Sequence, residues 1–293
     1  QLASSIDADV ANAYKYIGNS VGTPGITPST SLVLLQAQQK LNENAAVMSP
    51  RYATVNPAAN AGLVEGMKGL FNPTDTISKQ FRNGMMGTGV LGFDEINMSQ
   101  SIKQHTTGSR DASASTLVKT PGVTSEGAST ILLEQGSVTT TIKAGDVFTI
   151  ADSYAVNPQT RESTGSLFQF VALADATAVS GTWTVTVAPM YSAAHALATM
   201  TALPVTGKTV TFLGAASSQY AQNLVYHKDA ITFATADLLL PQGVDMAARA
   251  VHNGISLRVV RQYDINNDRM PCRIDVLYGY NTIRPQMAVR LWG

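Results

Sequence analysis

The chain has 293 residues, enough for two domains or for one large domain with an insertion. Its 20 Lys and Arg residues balance its 20 Asp and Glu residues, so the overall charge argues against a general phosphate-binding surface, although local basic patches stay open. Charged residues make up only 14% of the chain, against about 25% in ordinary globular domains. Either neutral polar side chains cover the surface or much of it is buried against partners.

Cysteine content and the length of the apolar runs exclude further classes of protein. Cys272 is the single cysteine, which excludes an intrachain disulfide framework and a cysteine-based zinc site. No apolar run is long enough to span a membrane, and the first residues lack the pattern of a signal peptide. The chain starts at Gln1, without an initiator Met and inside a helical pattern, so we expect that an N-terminal portion precedes it.

The first predicted element is a helix over residues 2–17, ended by Gly18-Asn19. Its apolar residues recur at helical spacing and form one face. They are Ile6, Val10, Ala13, Tyr14 and Ile17.

A second helix is predicted from Thr27-Pro28 to Ser49-Pro50, because a capping residue followed by Pro favours a helix start and Pro stops the far end. Its predicted apolar face consists of Leu34, Leu41, Ala45 and Met48. A short strand over residues 51–55 follows.

A third helix is predicted from Asn56-Pro57 to Asn72-Pro73, with Ala59, Leu63, Met67 and Leu70 on one face. Glycine costs helix stability, so a stripe of three glycines in this helix predicts close approach by another backbone. The three are Gly62, Gly66 and Gly69. The alternation of strand and helix is typical of an α/β-type layer.

The sequence changes character after Gly92, where an extended stretch over 92–98 leads into a region rich in Thr, Ser, Val and Ala. Residues 138–142 and 147–150 are predicted to form a hairpin about the turn Lys143-Ala144-Gly145-Asp146. Further strands are predicted over 167–173 and 182–187, with a strand pair inside 205–212. Short strands at near-regular spacing indicate an inserted β barrel or sandwich, which we place at 109–216.

Residues 222–240 are predicted to form a strand, a turn and a strand, ending at Pro241. A C-terminal ribbon then runs over 254–264 and 272–285, on either side of a turn at 265–271. Its few charged side chains alternate with apolar ones. That pattern fits a strand whose outer face meets other protein, and it fits a solvated antiparallel ribbon equally well.

No constellation in the sequence indicates catalysis. The four histidines are scattered and match no metal motif, so we interpret them as structural or surface residues; they are His105, His195, His227 and His252. We interpret Cys272 as a buried, inert thiol, and 84–89 as a flexible loop rather than a phosphate cradle. Asp264, Asp268 and Asp275 lack an EF-hand pattern. We therefore predict no catalytic residue, no cofactor and no metal site.

Four segments follow one another along the chain: Tyr52 to Pro57 with the following helix, Phe81-Arg82 through Gly92-Phe93-Asp94-Glu95, Asn223 to Ile231 with Ala234-Thr235, and Leu257 to Pro285. In this order they resemble the major capsid (coat) proteins of short-tailed double-stranded-DNA bacteriophages. No single segment is a strict motif, and the specificity lies in the ordered set on both sides of the insertion.

The resemblance implies the tailed-phage major capsid fold, an α+β fold with a spine helix, peripheral and axial domains, and here an inserted all-β barrel domain. On that basis residues 1–26 are the C-terminal part of the spine helix in the peripheral domain. Residues 27–108 form the first part of the axial and peripheral core, 109–216 the inserted barrel, and 217–293 the second part of the core. The family's N-terminal arm and extended loop would lie before Gln1.

The resemblance also implies a function. The chain would be a structural subunit, not an enzyme, that assembles with itself into pentamers and hexamers of an icosahedral shell around double-stranded DNA. Scaffolding protein and a portal would act during assembly in the host bacterial cytoplasm, the DNA would be bound non-specifically, no membrane would be involved, and the product would be the virion capsid.

The last fifth of the chain is locally basic and could contact packaged DNA or carboxylates of a neighbouring subunit; ordinary solvated ion pairs are the alternative. We prefer intersubunit pairing. The candidate contacts are Arg82, earlier in the chain, and Arg258, Arg261, Asp264, Asp268, Arg269, Arg284 and Arg290.

Two other classes of protein stay open at this point. A β-rich phage tail or fibre module would be β structure throughout, whereas three segments are predicted to be helical. A hydrolase would need one pocket with convergent titratable groups. Without the resemblance, composition and pattern indicate only a mixed α/β protein with an inserted β domain that forms oligomers.

Overall fold

A computed structural model describes residues 2–67, 88–111, 115–123, 125–136, 139–188, 193 and 198–293. The chain forms two units, one of Gln1–Ala230 with Thr282–Gly293 and one of Ile231–Asn281. The predictions for Leu70, Gly69, Asn72-Pro73 and most of the 84–89 loop lie outside the described residues.

Helices make up a small part of the described chain. The α-helices are α1 (Leu2–Val10), α2 (Ser31–Glu43) and α3 (Pro57–Met67), and 3-10 helices cover Ala11–Tyr16 and Pro285–Met287.

Strands contain more than twice as many of the described residues as helices do. They are β1 (Ser20–Val21), β2 (Arg51–Val55), β3 (Thr88–Val90), β4 (Phe93–Met98), β5 (Gln104–Thr106), β6 (Thr116–Val118), β7 (Thr130–Glu134), β8 (Thr141–Ile142), β9 (Val147–Val156), β10 (Ser163–Ala172), β11 (Ala176–Thr177), β12 (Thr182–Ala188), β13 (Thr209–Phe212), β14 (Gln219–His227), β15 (Ile231–Thr235), β16 (Met246–His252), β17 (Ile255–Arg261), β18 (Cys272–Val276), β19 (Tyr278–Thr282) and β20 (Ala288–Trp292).

The first predicted helix is confirmed in its position and its buried face, but not in its uniform winding. It is α-helical only to Val10 and then tightens into a 3-10 helix. Ile6, Ala13, Tyr14 and Ile17 are buried as predicted. The tighter winding matters because it sets the direction of the Tyr14 side chain, which the site described below uses.

The second predicted helix is shorter than expected at both ends. It begins at Ser31 rather than next to Pro28, and it ends at Glu43, before Ala45 turns to a φ of 54°. Leu34 and Leu41 are buried as predicted, whereas Ala45 and Met48 are exposed. The left-handed conformation at Ala45 stops the helix, so Ala45 and Met48 leave the face that the spacing assigned to them.

The close backbone approach predicted from the glycine stripe of α3 is confirmed at two positions. A Cβ on Gly62 would lie 2.8 Å from the Pro28 carbonyl oxygen, and one on Gly66 only 1.9 Å from that of Ser29. The segment leading into α2 therefore lies directly on α3, at a distance that side chains would prevent.

A seven-stranded mixed sheet forms the centre of the larger unit, in the order β1-β20-β14-β2-β4-β3, with β5 also pairing with β14. β20 lies parallel to β1, and β2 lies parallel to β4. Every residue of β20 is buried, Arg290 included, since strands flank it on both sides and α2 packs against it. The predicted strand at 51–55 and the extended stretch at 92–98 are confirmed as β2 and β4.

The same unit contains a closed six-stranded barrel with the order β10-β12-β7-β6-β13-β9. The pairs are antiparallel, and the ring closes through β9 and β10, so no edge is left open. Phe148, Phe170 and Trp183 fill its interior. The barrel confirms the all-β character predicted for 109–216; the domain boundaries themselves stay a prediction.

Two local predictions within the barrel region are wrong. The stretch 141–142 does not form a hairpin with 147–150, because β8 pairs with β11 while β9 pairs with β10 and β13. The turn is present, but its Gly145 N–H donates to the Ala172 carbonyl oxygen instead of closing a hairpin. Residues 205–212 contain one strand, not a pair, since Gly207, at a φ of 77°, belongs to a turn.

The chain enters and leaves the barrel at adjacent points. The Thr107 N–H donates to the Ser218 carbonyl oxygen over 3.0 Å, and the Ser217 N–H donates to that of Gly108 over 3.1 Å. The Thr107 hydroxyl also donates to the Ala215 carbonyl oxygen at 2.6 Å. The two connecting segments are therefore held side by side by hydrogen bonds.

The smaller unit is built on a three-stranded antiparallel sheet with the order β16-β17-β18. The predicted C-terminal ribbon is confirmed as β17 paired with β18, and the turn between them is held by backbone hydrogen bonds between Asp264 and Arg269. The sequence did not predict β16, nor that the second half of the ribbon breaks at Leu277, after which β19 pairs with β15. The predicted strand, turn and strand over 222–240 are present as β14 and β15, but the second strand ends at Thr235.

Candidate functional site: the buried Asp146 network

Five buried polar side chains from distant parts of the chain meet inside the larger unit. They are Tyr14, His105, Arg110, Asp146 and Arg290, and we call them the Asp146 network. They lie on the first 3-10 helix, on β5, on the segment leading into the barrel, in the turn just before β9, and on β20. The network thus joins the barrel to the seven-stranded sheet.

Asp146 is the acceptor at the centre. Its Oδ2 accepts hydrogen bonds from the backbone N–H groups of Lys143 and Gly108, at 3.0 and 3.1 Å. The turn that carries it is fixed to β10 at two points, since Gly145 donates to the Ala172 carbonyl oxygen and Ala172 donates to that of Asp146. A buried carboxylate is tolerated only with such a set of donors.

His105 connects the carboxylate to the 3-10 helix. Its Nε2 lies 2.9 Å from Asp146 Oδ1, and its Nδ1 lies 3.2 Å from the Tyr14 hydroxyl. The neutral ring with its proton on Nε2 satisfies both contacts, because Nε2 then donates to the carboxylate and Nδ1 accepts from the phenol. We assign this tautomer from the hydrogen bonds.

Arg110 supplies the positive charge opposite Asp146. Its Nη1 donates to Asp146 Oδ2 at 3.0 Å, and its Nη2 donates to the Gly214 carbonyl oxygen at 3.2 Å. The guanidinium also stacks over the Phe212 ring, 4.2 Å from its centroid. Burial lowers the pKa of Arg110, and the Asp146 carboxylate opposes that shift.

Arg290 is a second buried cation, with carbonyl rather than carboxylate partners. Both Nη atoms donate to the Gly145 carbonyl oxygen, at 2.7 and 2.8 Å, and Nε donates to Gln222 Oε1 at 2.9 Å. The guanidinium also lies over the rings of Tyr14 and Trp292. Burial lowers the pKa of Arg290 to about 10, so it remains charged at neutral pH.

Tyr14 lies between His105 and Arg290 and contacts both. Burial raises the pKa of its phenol, Arg290 opposes that shift, and Asp146 adds to it. The phenol therefore stays a neutral donor to His105 well into alkaline pH. Because these contacts tie one barrel turn to β5, β20 and the 3-10 helix, the network can fix the barrel onto the sheet.

The predicted intersubunit residues fall into separate groups. Arg258, Arg261, Asp264, Asp268 and Arg269 lie on β17 and its turn, whereas Arg82 lies outside the described residues. Several are paired within the unit: Arg258 with Asp275, Arg261 with Asp245, and Asp268 with Tyr263. Arg269 and Arg284 are exposed, and no carboxylate among the described residues forms an ion pair with either of them. The prediction that Arg290 is an intersubunit contact is wrong, since Arg290 is fully buried in its own subunit and unavailable to a neighbour.

The interpretation of the remaining candidates changes in two places. Cys272 is exposed, not buried, and the next two residues of β18, Arg273 and Ile274, are exposed with it. His105 is structural, as interpreted, and belongs to a network that the sequence did not indicate; His227 is buried, His252 is exposed, and His195 lies outside the described residues. In the described part of the chain, no three His, Cys, Asp or Glu side chains are grouped to hold a metal ion.

Sequence reasoning missed the network because its members are up to 276 residues apart and follow no common spacing. Lys143-Ala144-Gly145-Asp146 was assigned only as a turn, which it is, while its Asp side chain turns inward. One signal was available: Arg290 is the only charge in the otherwise apolar strand Ala288–Trp292. A lone charge in a buried strand requires buried partners.

Comparison with known proteins gives a family. A model for the P22 coat protein, gene protein 5, matches residues 1–293. Solved chains that match include one from Mycobacterium phage Che8, at 12% identity and a TM-score of 0.43, covering 99% of this chain and 58% of that chain. Another is the CUS-3 coat protein I-domain, at 21% identity and a TM-score of 0.27, covering 36% of this chain and all of that one. Curated protein sequences gave no match.

The family match covers the whole chain and defines the class of protein as a bacteriophage coat protein. The chain belongs to the P22 coat protein family. The predicted resemblance and the predicted α+β fold with a β barrel are thereby confirmed. The chain spans 58% of the length of the Che8 chain. Within the described residues, no helix is both long and apolar enough to cross a lipid bilayer.

Proposed function

We propose that this chain is a structural subunit of an icosahedral capsid shell, in which pentamers and hexamers of identical copies enclose double-stranded DNA. The observation that carries the proposal is the match of residues 1–293 to the coat protein family. The Asp146 network agrees with a structural role without catalysis, because its charged side chains form hydrogen bonds that connect parts of the fold.

The proposal includes partners. Scaffolding protein and a portal would direct assembly in the host bacterial cytoplasm, and contact with packaged DNA would be non-specific. The zero formal charge supports weak, patch-level contact with DNA rather than a strongly basic lining. Many modest contacts per subunit, each repeated by symmetry, can hold such a shell together.

Arg269 and Arg284 are the best placed of the predicted intersubunit residues. Both are exposed and lack an ion-pair partner among the described residues, so each can pair with a neighbour's carboxylate at no internal cost. The paired residues Arg258, Arg261, Asp264 and Asp268 would have to give up contacts within their own unit. We expect Arg269→Glu and Arg284→Glu to lower the yield of shells while leaving the subunit folded.

Electron microscopy of the full-length protein, expressed with its neighbouring phage genes, tests the function. Closed shells of uniform diameter are expected. Expression without the scaffolding gene should give fewer or misformed shells. Soluble monomers, or fibres without closed shells, would overturn the proposal and favour the β-rich tail or fibre module instead.

A further inference from the structure

The turn after β14 contains a buried histidine whose hydrogen bonds define where its proton lies. His227 is the last residue of β14, and only 3% of its side chain is exposed. Its Nε2 lies 3.4 Å from the Ser49 carbonyl oxygen, and its Nδ1 lies 3.2 Å from the Asp229 backbone nitrogen. A carbonyl oxygen only accepts and a backbone N–H only donates. These contacts therefore assign a neutral ring with its proton on Nε2.

A second group of the same residue lies close to Nδ1. The Asp229 carboxylate is 3.7 Å from that nitrogen, and its side chain is 54% exposed. The neutral ring cannot bond to it, because both atoms are acceptors. Once the ring takes up a second proton, Nδ1 becomes a donor that attracts the carboxylate and repels the Asp229 N–H. Residue 229 thus offers its backbone N–H to the neutral ring and its side chain to the charged ring.

The turn that carries Asp229 also fixes the chain at Ala230. The Ala230 N–H donates to the His227 carbonyl oxygen at 2.9 Å, which closes a four-residue turn. The Ala230 carbonyl oxygen accepts from the N–H groups of Ile283 and Arg284, at 3.0 and 3.2 Å. Ala230 is the last residue of the larger unit before the smaller one begins, and the chain has returned to the larger unit by Ile283. A change in this turn would therefore act on both chain connections of the smaller unit.

Charged groups of both signs surround the ring. On β2, Arg51 lies directly opposite in the register, and its guanidinium donates to two carbonyl oxygens of the preceding loop. Asp94, on β4, accepts from the Arg51 N–H at 2.8 Å, while Lys228 and Asp229 follow the ring along the chain and Arg284 bonds to the turn through its backbone. The cations repel a positive charge on the ring, whereas the two carboxylates attract it. Of these groups, the Asp229 carboxylate lies in ion-pair range of Nδ1.

We propose that His227 is a pH-sensitive switch of this turn. At neutral pH the ring holds the Asp229 N–H; in mild acid the protonated ring holds the Asp229 carboxylate instead, and the turn rearranges next to Ala230. Imidazole suits this role because it is the side chain that ordinarily changes charge between pH 5 and 8. The inference does not rest on the proposed shell function. It goes beyond that function by giving the folded subunit a response to acid.

Hydrogen exchange of the full coat polypeptide, read by mass spectrometry at about pH 7.5 and about pH 5.5, tests the switch. Rates are corrected for the intrinsic effect of pH on exchange. Peptides that contain residues 228–230 and 283–284 should then exchange about tenfold faster in acid, because the Asp229 N–H has lost its acceptor. Peptides of the barrel should keep their rates. An unchanged rate in the turn would overturn the proposal, and so would the same acceleration along the whole chain.

Two variants each remove one part of the switch. Asp229→Asn keeps the backbone N–H and removes the charge at an exposed side chain, so the turn should need a lower pH for the same acceleration. His227→Gln retains an acceptor and a donor but cannot change charge, so its turn should not respond to acid. His252→Gln, at an exposed histidine on β16, is the matched control and should respond like the wild type. An equal acid response in the wild type and Asp229→Asn, or any response in His227→Gln, would overturn the proposal.

Nuclear magnetic resonance of the chain with ¹⁵N-labelled histidine observes the ring itself. The two ring nitrogens of His227 should give separate donor and acceptor signals at neutral pH, and should become alike in acid as the turn opens. The spectrum of Asp229→Asn should keep the separate signals to a lower pH. If the signals of His227 stay separate down to about pH 5 while exchange accelerates, the switch is wrong. These measurements need only the folded subunit, so they decide the switch whether or not shells form.

Discussion

His105 Nε2 and Asp146 Oδ1 lie 2.9 Å apart in the interior, with only 3% and 1% of the two side chains exposed. The same carboxylate accepts from Arg110 and from two backbone N–H groups. The Asp146 side chain therefore ties a barrel turn to β5 and to the segment that leads into the barrel, in addition to the bonds that Arg290 makes to the Gly145 carbonyl oxygen of the same turn.

Asp146→Ala should lower the free energy of unfolding by about 3–5 kcal/mol, because it leaves the buried Arg110 cation and two backbone donors unpaired. Asp175→Asn is the matched control, since Asp175 pairs with Lys143 of the same turn but is 57% exposed. The control should cost less than about 1 kcal/mol. Urea unfolding measures both, and similar losses for the two variants would contradict the buried network as a source of stability.

Gly145→Ala tests the close packing around the turn. Gly145 has a φ of 101°, and a Cβ there would lie 3.1 Å from Tyr14 Cε2 and 3.2 Å from His105 Cε1. Gly207→Ala controls for backbone strain alone, because Gly207 has a φ of 77° and nothing within 4 Å of a Cβ. The control should cost about 1–2 kcal/mol, and Gly145→Ala clearly more. Equal midpoints in thermal unfolding would show that the rings can move aside.

Gly66→Ala compares the stability gained from higher helix propensity with the stability lost through overpacking. In an open helix this change stabilises by about 1 kcal/mol. Here the new Cβ would lie 1.9 Å from the Ser29 carbonyl oxygen, and overpacking of this kind costs about 1–3 kcal/mol or more. We expect net destabilisation in chemical unfolding. Ala61→Gly, at an exposed site on the same helix, should cost only the propensity difference.

Alkaline pH should weaken the fold through Tyr14. Burial raises the pKa of this phenol above its ordinary value of 10.0, so between pH 10 and the folded-state pKa the unfolded chain loses a proton that the folded chain keeps. The contribution of Tyr14 is present in full below pH 10 and is lost as pH rises through the folded pKa. Arg290 has the opposite sign, since its pKa is lowered to about 10 and deprotonation relieves the cost of burying its charge.

Tyr14→Phe separates the two effects. It should remove the alkaline fall in stability and one late-ionising phenol from the ultraviolet titration of the folded protein. Tyr16→Phe, an exposed tyrosine in the same 3-10 helix, controls for the amplitude of one phenol. An unchanged alkaline slope in Tyr14→Phe would contradict the role given to this side chain.

Acid should loosen the three-stranded sheet through Asp275. Hydrogen bonds from Arg258 and then from Arg273 hold the pKa of this carboxyl below its ordinary 3.8. Its contribution is present above pH 3.8 and is lost as pH falls through the lower folded value. Amide hydrogen exchange in β17 and β18 should therefore accelerate in strong acid, and Asp275→Asn should show the faster exchange already at neutral pH. Asp268→Asn, in the turn, should not.

The elements that could be predicted from sequence are those whose signal is local. The strand at 51–55 has Pro50 before it and Asn56-Pro57 after it, and the turn before β18 has the dense Asn and Asp content that such turns need. The exposure of Cys272 was missed because its strand alternates as a buried one would. Alternation reveals that a strand has two faces, but not whether either face is covered.

Pairing and the polar network could not be predicted because they depend on distant parts of the chain. The run from Thr141 to Ile150 has a good turn between two strands, yet β9 gains more from β10 and β13, with Phe148 stacked on Phe170. In the same way, Tyr14 looks like an ordinary apolar helix residue. Its hydroxyl contacts His105, which lies 91 residues away on β5 and is brought near only by the tertiary fold.

The paired ends of the barrel have an evolutionary consequence. Because Thr107 bonds to Ser218 and Ser217 bonds to Gly108, the polypeptide leaves the sheet and returns to it at one place. A segment attached in this way can be lengthened, shortened or exchanged between lineages without changing the distance that the flanking strands must span. The barrel could therefore change in length and sequence during evolution while β5 and β14 keep their register. A foreign domain could be inserted at the same junction.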